Sequence, residues 1–289
     1  MMIRFIIGLF ALTGDLQQFY CCCKLIAEEM NLTRFLYNPD MDPNSEPFEC
    51  LFQALIYGLK SASAQTEFMK KKLSDEIRDE YPEFALLLDK STYVDDMGDS
   101  KDSAEAINNL ASDADHIFGE LDVTVKAWSK TGVKPSEKVS NDGLSVLVGG
   151  MIWFPEIDSV TVKIPFLHFG KRRRGKLDKN TEFFHPTGET DDLVRLGNFC
   201  PPLTRRICAS KAASIFDIMG LLSPVLSGVK VLMSETVKAT EEWDEEIPEN
   251  LRNKWLAAFL RIESLRGIQL HRPVMPSNAV SKVMRLIVE

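Results

Sequence analysis

Three aspartates at two separate places in the sequence could together hold divalent cations: Asp15, and the adjacent pair Asp95 and Asp96. Adjacent acids are common in surface turns, so Tyr93-Val94-Asp95-Asp96 alone favours an ordinary turn. Asp15 changes that interpretation, because it also ends an apolar, strand-like segment. Carboxylate oxygens are the ligands that Mg²⁺ prefers, and two ions about 3.5–4 Å apart can hold both reacting oxygens of a phosphoryl transfer. The pattern predicts a two-metal site where the two strands meet.

The elements that must position these acids follow from apolar patterning. Residues 3–25 are apolar and β-prone and predict a buried strand that runs into a turn. Its three adjacent cysteines, Cys21 to Cys23, fit that buried strand. The turn-rich segment 38–48 is expected between two strands. The polar, Gly- and Pro-interrupted segment 170–192 is expected to be a loop.

The remaining segments show helical or strand-like periodicity. Helices are predicted over 61–80, 102–119, 204–218, 224–242 and 248–266. Strands are predicted over 84–88, 91–94, 123–128, 145–153 and 160–166, with a bend at Gly149-Gly150. In the first helix the apolar side chains Phe68, Met69, Leu73 and Ile77 are expected to face the core. The order indicates an α+β fold followed by a helical region.

Composition indicates an ordinary globular protein. The chain has 289 residues, of which 45% are hydrophobic and 26% charged, so it can bury a core as one large domain or two smaller ones. The net charge of −8 argues against coating of nucleic acid by the whole surface, but leaves room for a local basic groove. The six cysteines lack CxxC spacing, which favours a reduced, intracellular setting. The apolar start, Met1 to Leu12, is too short to span a bilayer and is interpreted as a core strand.

An ordered series of segments resembles the successive palm motifs of reverse transcriptases, and most closely those of the BEL/Pao class of long-terminal-repeat retrotransposons. The palm segments are Gly14-Asp15-Leu16-Gln17-Gln18-Phe19-Tyr20, Arg34-Phe35-Leu36-Tyr37, Tyr57-Gly58-Leu59-Lys60-Ser61 and Tyr93-Val94-Asp95-Asp96. The downstream segments are Lys126-Ala127-Trp128-Ser129, Gly149 to Trp153 with Asp158, Leu203-Thr204-Arg205-Arg206, Ser214 to Pro224, Trp243-Asp244 and Trp255. The resemblance implies a right-hand polymerase palm, an antiparallel sheet with packed helices, followed by a mainly helical region.

The resemblance also implies roles for individual residues. Asp15 and Asp95 would coordinate two Mg²⁺ ions, for which Mn²⁺ could substitute, with Asp96 in support and the backbone carbonyl of Leu16 as a further ligand. Tyr20 would pack under the incoming sugar and exclude a 2′-hydroxyl. The remaining positions implied to contact nucleotide or nucleic acid are Gly58, Lys60, Ser61 and Tyr93. Ser61-Ala62-Ser63 stands where the family has a Ser-Pro pair, and Lys126 is interpreted as a solvated strand-edge lysine.

The implied partners are an RNA or DNA template–primer, deoxynucleoside triphosphates and the rest of a retrotransposon polyprotein. The basic run Lys171, Arg172, Arg173 and Arg174 could contact phosphates, although most charge runs are solvated loops. The implied location is the cytoplasm, in a virus-like particle, or the nucleus. Neither membrane association nor secretion is expected.

The resemblance divides the chain into a palm (1–155), a strand with a basic loop (156–195) and a thumb- or connection-like helical region (196–289). Only 14 residues precede Asp15, so the fingers that hold the triphosphate are expected to be missing. Two hypotheses stay open: an RNA-directed DNA polymerase fragment, and an inactive relic that at most binds nucleic acid. A retrotransposon peptidase is a remote third, because no Asp-Thr-Gly or Asp-Ser-Gly tripeptide occurs.

Overall fold

The structure is a computed structural model that describes residues 1–170, 172–173 and 176–274, without the side chains of 171–176. The described chain forms two compact units. Of the described residues, the first unit contains 1–149, 154–158 and 271–274, and the second contains 150–153 and 159–270. Each unit mixes helices with antiparallel strands.

The first unit is built on a four-stranded sheet in the order β4-β5-β1-β6, in which each neighbouring pair is antiparallel. Its elements are α1 (Met2–Ile7), β1 (Phe10–Leu16), α2 (Phe19–Cys22), α3 (Ala27–Met30), a 3₁₀ turn (Asn31–Thr33), β2 (Arg34–Tyr37), β3 (Phe48–Leu51), α4 (Ala62–Ile77), α5 (Pro82–Lys90), β4 (Thr92–Tyr93), β5 (Asp96–Lys101), α6 (Ala104–Glu120), β6 (Val125–Lys130) and β7 (Val146–Val148).

Two helices cover one face of this sheet. α5 starts with Pro82, whose fixed φ suits the first helical turn, and Ser103 caps α6 by accepting a hydrogen bond from the amide of Ala106 at 3.1 Å. The apolar stripes of both helices pack on alternate residues of β1 and β5. The fully buried side chains of this core include Leu12, Leu16, Phe84, Leu87, Met97, Leu110, Ala114 and Phe118.

Three predictions for the first unit are wrong. Residues 3–25 form helix α1, strand β1 and helix α2, so the three cysteines lie in and just after a short helix, where Cys21 is exposed and only Cys23 is buried. Residues 84–88 lie inside helix α5. The helix predicted at 61–80 is confirmed as α4, but Phe68 and Met69 are exposed and the buried side chains are Ala62, Thr66, Lys70 and Ser74.

Other predictions for the first unit are confirmed. The segment after Tyr37 connects β2 to β3, which pair as an antiparallel hairpin. The helix at 102–119 corresponds to α6, and the strand at 123–128 to β6. The strand predicted at 91–94 contains β4, and the acidic pair follows directly.

The described part of the second half of the chain contains short strands and four helices. Its elements are β8 (Met151–Phe154), β9 (Ser159–Val162), β10 (Arg172–Arg173), β11 (Lys176–Leu177), α7 (Asp192–Phe199), α8 (Arg205–Ala212), α9 (Ser223–Ala239), α10 (Glu249–Ser264) and β12 (Leu270–His271). The helices share one core that includes Leu196, Cys208, Leu232, Trp255, Leu256 and Phe259. Arg252 of α10 donates to the carbonyls of Gly197, Cys200 and Pro201 at the end of α7.

The later predictions are partly confirmed. The strand at 145–153 divides into β7 and β8, and Gly149 and Gly150 between them have φ values of 53° and 90°. The helix at 204–218 is shorter than expected, because α8 covers only Arg205–Ala212. The β10–β11 hairpin lies in the segment expected to be a loop, and α7, which was not predicted, begins at the last residue of that segment. Among the described helices, none combines the length and the apolar character needed to cross a bilayer. The palm assignment and the predicted domain boundaries stay predictions.

Candidate metal centre

The register between β1 and β5 places two of the predicted acids side by side. Asp15 is paired with Asp96 across these antiparallel strands. Side chains alternate between the two faces of a strand, and Leu12 and Leu16 of β1 face the helices. Asp15 therefore points to the opposite face, and so does its cross-strand neighbour Asp96, because directly opposite residues share a face.

The third acid lies in the tight turn between β4 and β5. Tyr93 pairs with Asp96, so Val94 and Asp95 form a two-residue hairpin loop. Val94 has a φ of 56°, a region that β-branched residues rarely adopt. The amide of Leu16 donates to the carbonyl of Asp95 at 3.0 Å, which anchors the loop to β1.

The three carboxylates converge. One oxygen from each of Asp15, Asp95 and Asp96 lies within 4.8 Å of the other two, and this is the one such group of metal-capable side chains among the described residues. Oxygens bound to one hard cation at about 2.0–2.6 Å lie at most about 5 Å apart. The separation and the all-oxygen donor set therefore both fit a divalent cation such as Mg²⁺.

The clustering changes the acidity of two of these groups. The pKa of Asp96 is raised to about 6, first by burial and then by the negative charges of Asp95 and Asp15. Burial also raises the pKa of Asp15, and the charge of Asp95 adds to this, while Lys126 opposes it. Negative charge thus accumulates here without full compensation, which is the electrostatic condition that favours a bound cation.

A cleft of about 240 Å³ borders the cluster. Its lining includes Asp15, Asp96, Lys126 and residues of the β7 segment. The ammonium of Lys126 lies 3.9 Å from the Asp15 carboxylate, and its side chain is 47% exposed. Lys126 is on the edge strand β6, as expected, but it contributes charge to the site, which the solvated-lysine interpretation did not include.

Tyr20 is part of α2 and belongs to a small apolar cluster against which Val94 of the acidic hairpin packs. It is 8% exposed, and its hydroxyl is 3.1 Å from the Ser63 hydroxyl in the first turn of α4. Its ring is 4.7 Å from the ring of Tyr57. Tyr20 is therefore fixed on both sides, although it lies in a helix where a strand was predicted.

The other predicted nucleotide and nucleic-acid contacts lie on exposed segments. Gly58 has a φ of 96°, and a Cβ placed there would meet nothing within 4 Å. Lys60 is exposed, Ser61 precedes α4, and Tyr93 of β4 is 70% exposed. Lys171 and Arg174 lie outside the described residues, and of Arg172 and Arg173 only the backbone is described, in strand β10. The structure does not test any of these roles.

Sequence reasoning assigned no role to two residues near the acidic turn. Tyr57 is close enough for burial and the charge of Asp95 to raise its pKa. Glu67 of α4 accepts a hydrogen bond from the amide of Val94 at 3.2 Å. Neither contact leaves a sequence signal, because each depends on α4 and the hairpin meeting in the fold.

The downstream segments that carry the resemblance are held by structural contacts. The carboxylate of Asp217 accepts hydrogen bonds from the amides of Leu221 and Leu222, just before α9 begins. Asp244 forms an ion pair with Arg206 at 2.7 Å. The indole of Trp255 is fully buried and donates to Thr236 at 2.8 Å. These residues support the helical core of the second unit.

Comparison with known proteins supports part of the resemblance. Residues 204–288 match the family described as the Pao retrotransposon-like RNaseH-like domain. This segment is therefore similar to a retrotransposon family, which confirms the retrotransposon relationship at that level. The family's description is RNaseH-like, which differs from the predicted thumb- or connection-like role. The acidic cluster lies outside the matched segment.

Solved structures give a weaker likeness. A structure of the foamy viral protease-reverse transcriptase in complex with RNA/DNA hybrid matches with a TM-score of 0.45 and 11% sequence identity. The match covers 91% of this chain and 28% of that chain, so this chain spans just over a quarter of the length of that protein. A similarity this low carries no argument about function. The search of curated proteins gave no match.

Proposed function

We propose that this chain is part of an RNA-directed DNA polymerase of a retrotransposon, with a nucleotidyl-transfer site at Asp15, Asp95 and Asp96. The observation that carries the proposal is the convergence of these carboxylates within 4.8 Å, from a strand and a tight hairpin of one antiparallel sheet. A palm fold for residues 1–155 and a helical accessory region from 196 onward belong to the same proposal.

Asp15 and Asp95 would coordinate two Mg²⁺ or Mn²⁺ ions, with Asp96 in support and the backbone carbonyl of Leu16 as a further ligand. When bound, such ions lower the pKa of a coordinated hydroxyl and neutralise charge on the transferred phosphate. The protein's part is to hold the carboxylates on the solvent-facing side of the sheet, away from the α5–α6 core. Lys126, beside Asp15, limits the repulsion within the cluster.

The residues around the acids would position the substrates. Tyr20, buried and fixed to Ser63, presents a rigid ring that would pack under the sugar of the incoming deoxynucleoside triphosphate. The open backbone at Gly58, with Lys60, Ser61 and Tyr93, would lie against the template–primer. The basic run at 171–174 would contact its phosphates. The site would function within the parent polyprotein, in the cytoplasm or nucleus.

The test uses two measurements on the same preparations of the chain. Mn²⁺ binding is measured by electron paramagnetic resonance, and primer extension is measured on poly(rA)–oligo(dT) with Mg²⁺ or Mn²⁺. Wild type is compared with Asp95→Asn and with Asp79→Asn, a control that neutralises an exposed acid outside the cluster. We expect binding and incorporation in wild type and the control, and loss of both in Asp95→Asn.

The two measurements separate the possible failures. Mn²⁺ binding that depends on Asp95, without incorporation by any folded variant, would retain the metal site and reject polymerase activity for this chain, leaving an inactive relic. Mn²⁺ affinity that is equal in wild type and Asp95→Asn would reject the metal site itself.

A further inference from the structure

One carboxylate outside the acidic cluster contacts the turn that carries Asp95. Oε1 of Glu67 accepts a hydrogen bond from the backbone amide of Val94 at 3.2 Å. The first residue of a two-residue hairpin loop has no ladder partner for its amide, because the strand pairing closes at Tyr93 and Asp96. Glu67 therefore supplies an acceptor that the hairpin itself does not provide.

Glu67 is itself held by a buried cation. The ammonium of Lys70, one turn along α4, lies 2.7 Å from the same Oε1 atom. The Lys70 side chain is only 3% exposed, while that of Glu67 is 51% exposed. A buried ammonium requires a partner, so the pair fixes the direction of the Glu67 side chain at the point where it meets the turn.

The turn needs external support. The backbone of Val94 is in the left-handed region, which costs a β-branched residue free energy and persists only where the surroundings hold it. The Val94 side chain packs against the small apolar cluster that includes Tyr20 and Ala62. On the other side of the loop, the amide of Leu16 holds the carbonyl of Asp95. Asp95 thus lies between two anchors, one from β1 and one from α4.

We propose that Glu67 is a positioning residue, which acts through Val94 to hold the Asp95 carboxylate in register with Asp15 and Asp96. Lys70 holds Glu67 for this purpose. The inference rests on the proposed metal site, which it deepens. It assigns α4 the role of aligning the loop, so that helix α4 and strand β1 together determine the geometry of the carboxylate cluster.

The test measures Mn²⁺ affinity of the full chain for a set of variants, with the fold of each checked by circular dichroism. Glu67→Ala removes the acceptor, and we expect its Kd to rise about five- to tenfold, since one ligand is no longer pre-positioned. Glu67→Gln keeps a carbonyl oxygen for the Val94 amide but loses the charge that pairs with Lys70, so its Kd should rise only about two- to threefold, as for Lys70→Met. Glu76→Ala is the matched control, because it removes an exposed acid paired with Lys72 on the same helix.

Lys70→Met tests the same positioning role of Glu67 if Glu67→Ala does not fold. It replaces the buried ammonium with an apolar side chain of similar length, leaves Glu67 in place, and is expected to raise the Kd about two- to threefold. A structural role alone would lower the melting temperature of Glu67→Ala without changing Mn²⁺ affinity in the folded protein. In kinetics, loss of alignment should lower kcat and leave KM for the nucleotide nearly unchanged.

The outcomes separate this inference from the proposed function. If Asp95→Asn abolishes binding while folded Glu67→Ala or Lys70→Met binds as tightly as wild type, the positioning role is wrong and the metal site stands. Equal losses in Glu67→Gln and Glu67→Ala would also overturn it, because the hydrogen-bond acceptor would not be the cause. If wild type binds no Mn²⁺, the metal site and this inference fail together.

Discussion

Asp96→Asn should stabilise the metal-free protein at neutral pH and destabilise it relative to wild type when a divalent cation is present. In the metal-free protein, the pKa of Asp96 is about 6 because of burial and the charges of Asp95 and Asp15, against 3.8 for an ordinary aspartate. Between these two values the folded state holds a proton that the unfolded state releases. The free energy of unfolding therefore falls as the pH rises from about 4 to about 6, and stays lower above that.

The size of the effect follows from the same shift. A displacement of about two pKa units corresponds to about 3 kcal/mol for a fully buried group. Asp96 is only partly buried, so solvent screening reduces this to about 1 kcal/mol. For a unit of this size, about 1 kcal/mol corresponds to a rise of about 2–4 °C in the melting temperature. The asparagine keeps the shape of the side chain and removes only the charge.

The assay is thermal unfolding at pH 4 and pH 8 in the presence of a chelator. Asp96→Asn should melt higher than wild type at pH 8 and nearly equally at pH 4. Asp75→Asn is a control of opposite sign, because hydrogen bonds from Lys71 and Arg78 lower the pKa of Asp75. With Mn²⁺ at about 100 times its Kd, wild type should gain about 2.7 kcal/mol and the variant less. A variant that melts lower than wild type at pH 8 without metal would refute the reasoning.

Two further predictions concern stability. Arg272→Met should lower the free energy of unfolding, measured by urea denaturation, by about 3–5 kcal/mol. Arg272 is fully buried, forms an ion pair with Asp158, and donates to three backbone carbonyls near the end of α1. Arg206→Met, which breaks an exposed pair, should cost less than about 1 kcal/mol, and equal losses in the two variants would contradict this. Gly14→Ala should cost about 1–3 kcal/mol, since its Cβ would lie 2.7 Å from the ring of Trp128, and an unchanged urea midpoint would contradict the close packing.

The face of the sheet to which Asp15 and Asp96 point was predictable because it depends on local rules. A charged residue that ends an apolar strand points away from the core side of its sheet, and the residue opposite it in an antiparallel pair points the same way. Asp15 and Asp96 share a face by this rule, because they are paired across β1 and β5. The sequence did not contain the register that pairs them, and the resemblance to palm motifs supplied the expectation that these two strands meet.

Apolar patterns gave wrong predictions for the segment Phe84 to Leu88 and for the buried face of α4. The segment Phe84 to Leu88 is too short and too uniformly apolar to distinguish strand from helix, and the Pro82 signal for a helix start decides it. In α4, the apolar positions predicted the wrong buried face. The buried positions hold Lys70 and Ser74, whose polar atoms are satisfied by Glu67 and by the carbonyl of Ala85. Burial of these two polar side chains depends on their hydrogen-bonding and charge partners, which the apolar periodicity of the helix does not reveal.

The polar buried face of α4 also affects the hairpin that carries Asp95. A helix with an apolar buried face would give the hairpin only packing, which is insensitive to the direction of a carboxylate. Glu67, held by Lys70, instead accepts a directed hydrogen bond from the amide of Val94, the residue of the hairpin loop whose backbone is in the left-handed region. Polar groups on a buried helix face lower its hydrophobic stabilisation and are retained where they specify geometry. Under the proposed positioning role, the polar face of α4 therefore acts together with strand β1 in aligning the three carboxylates.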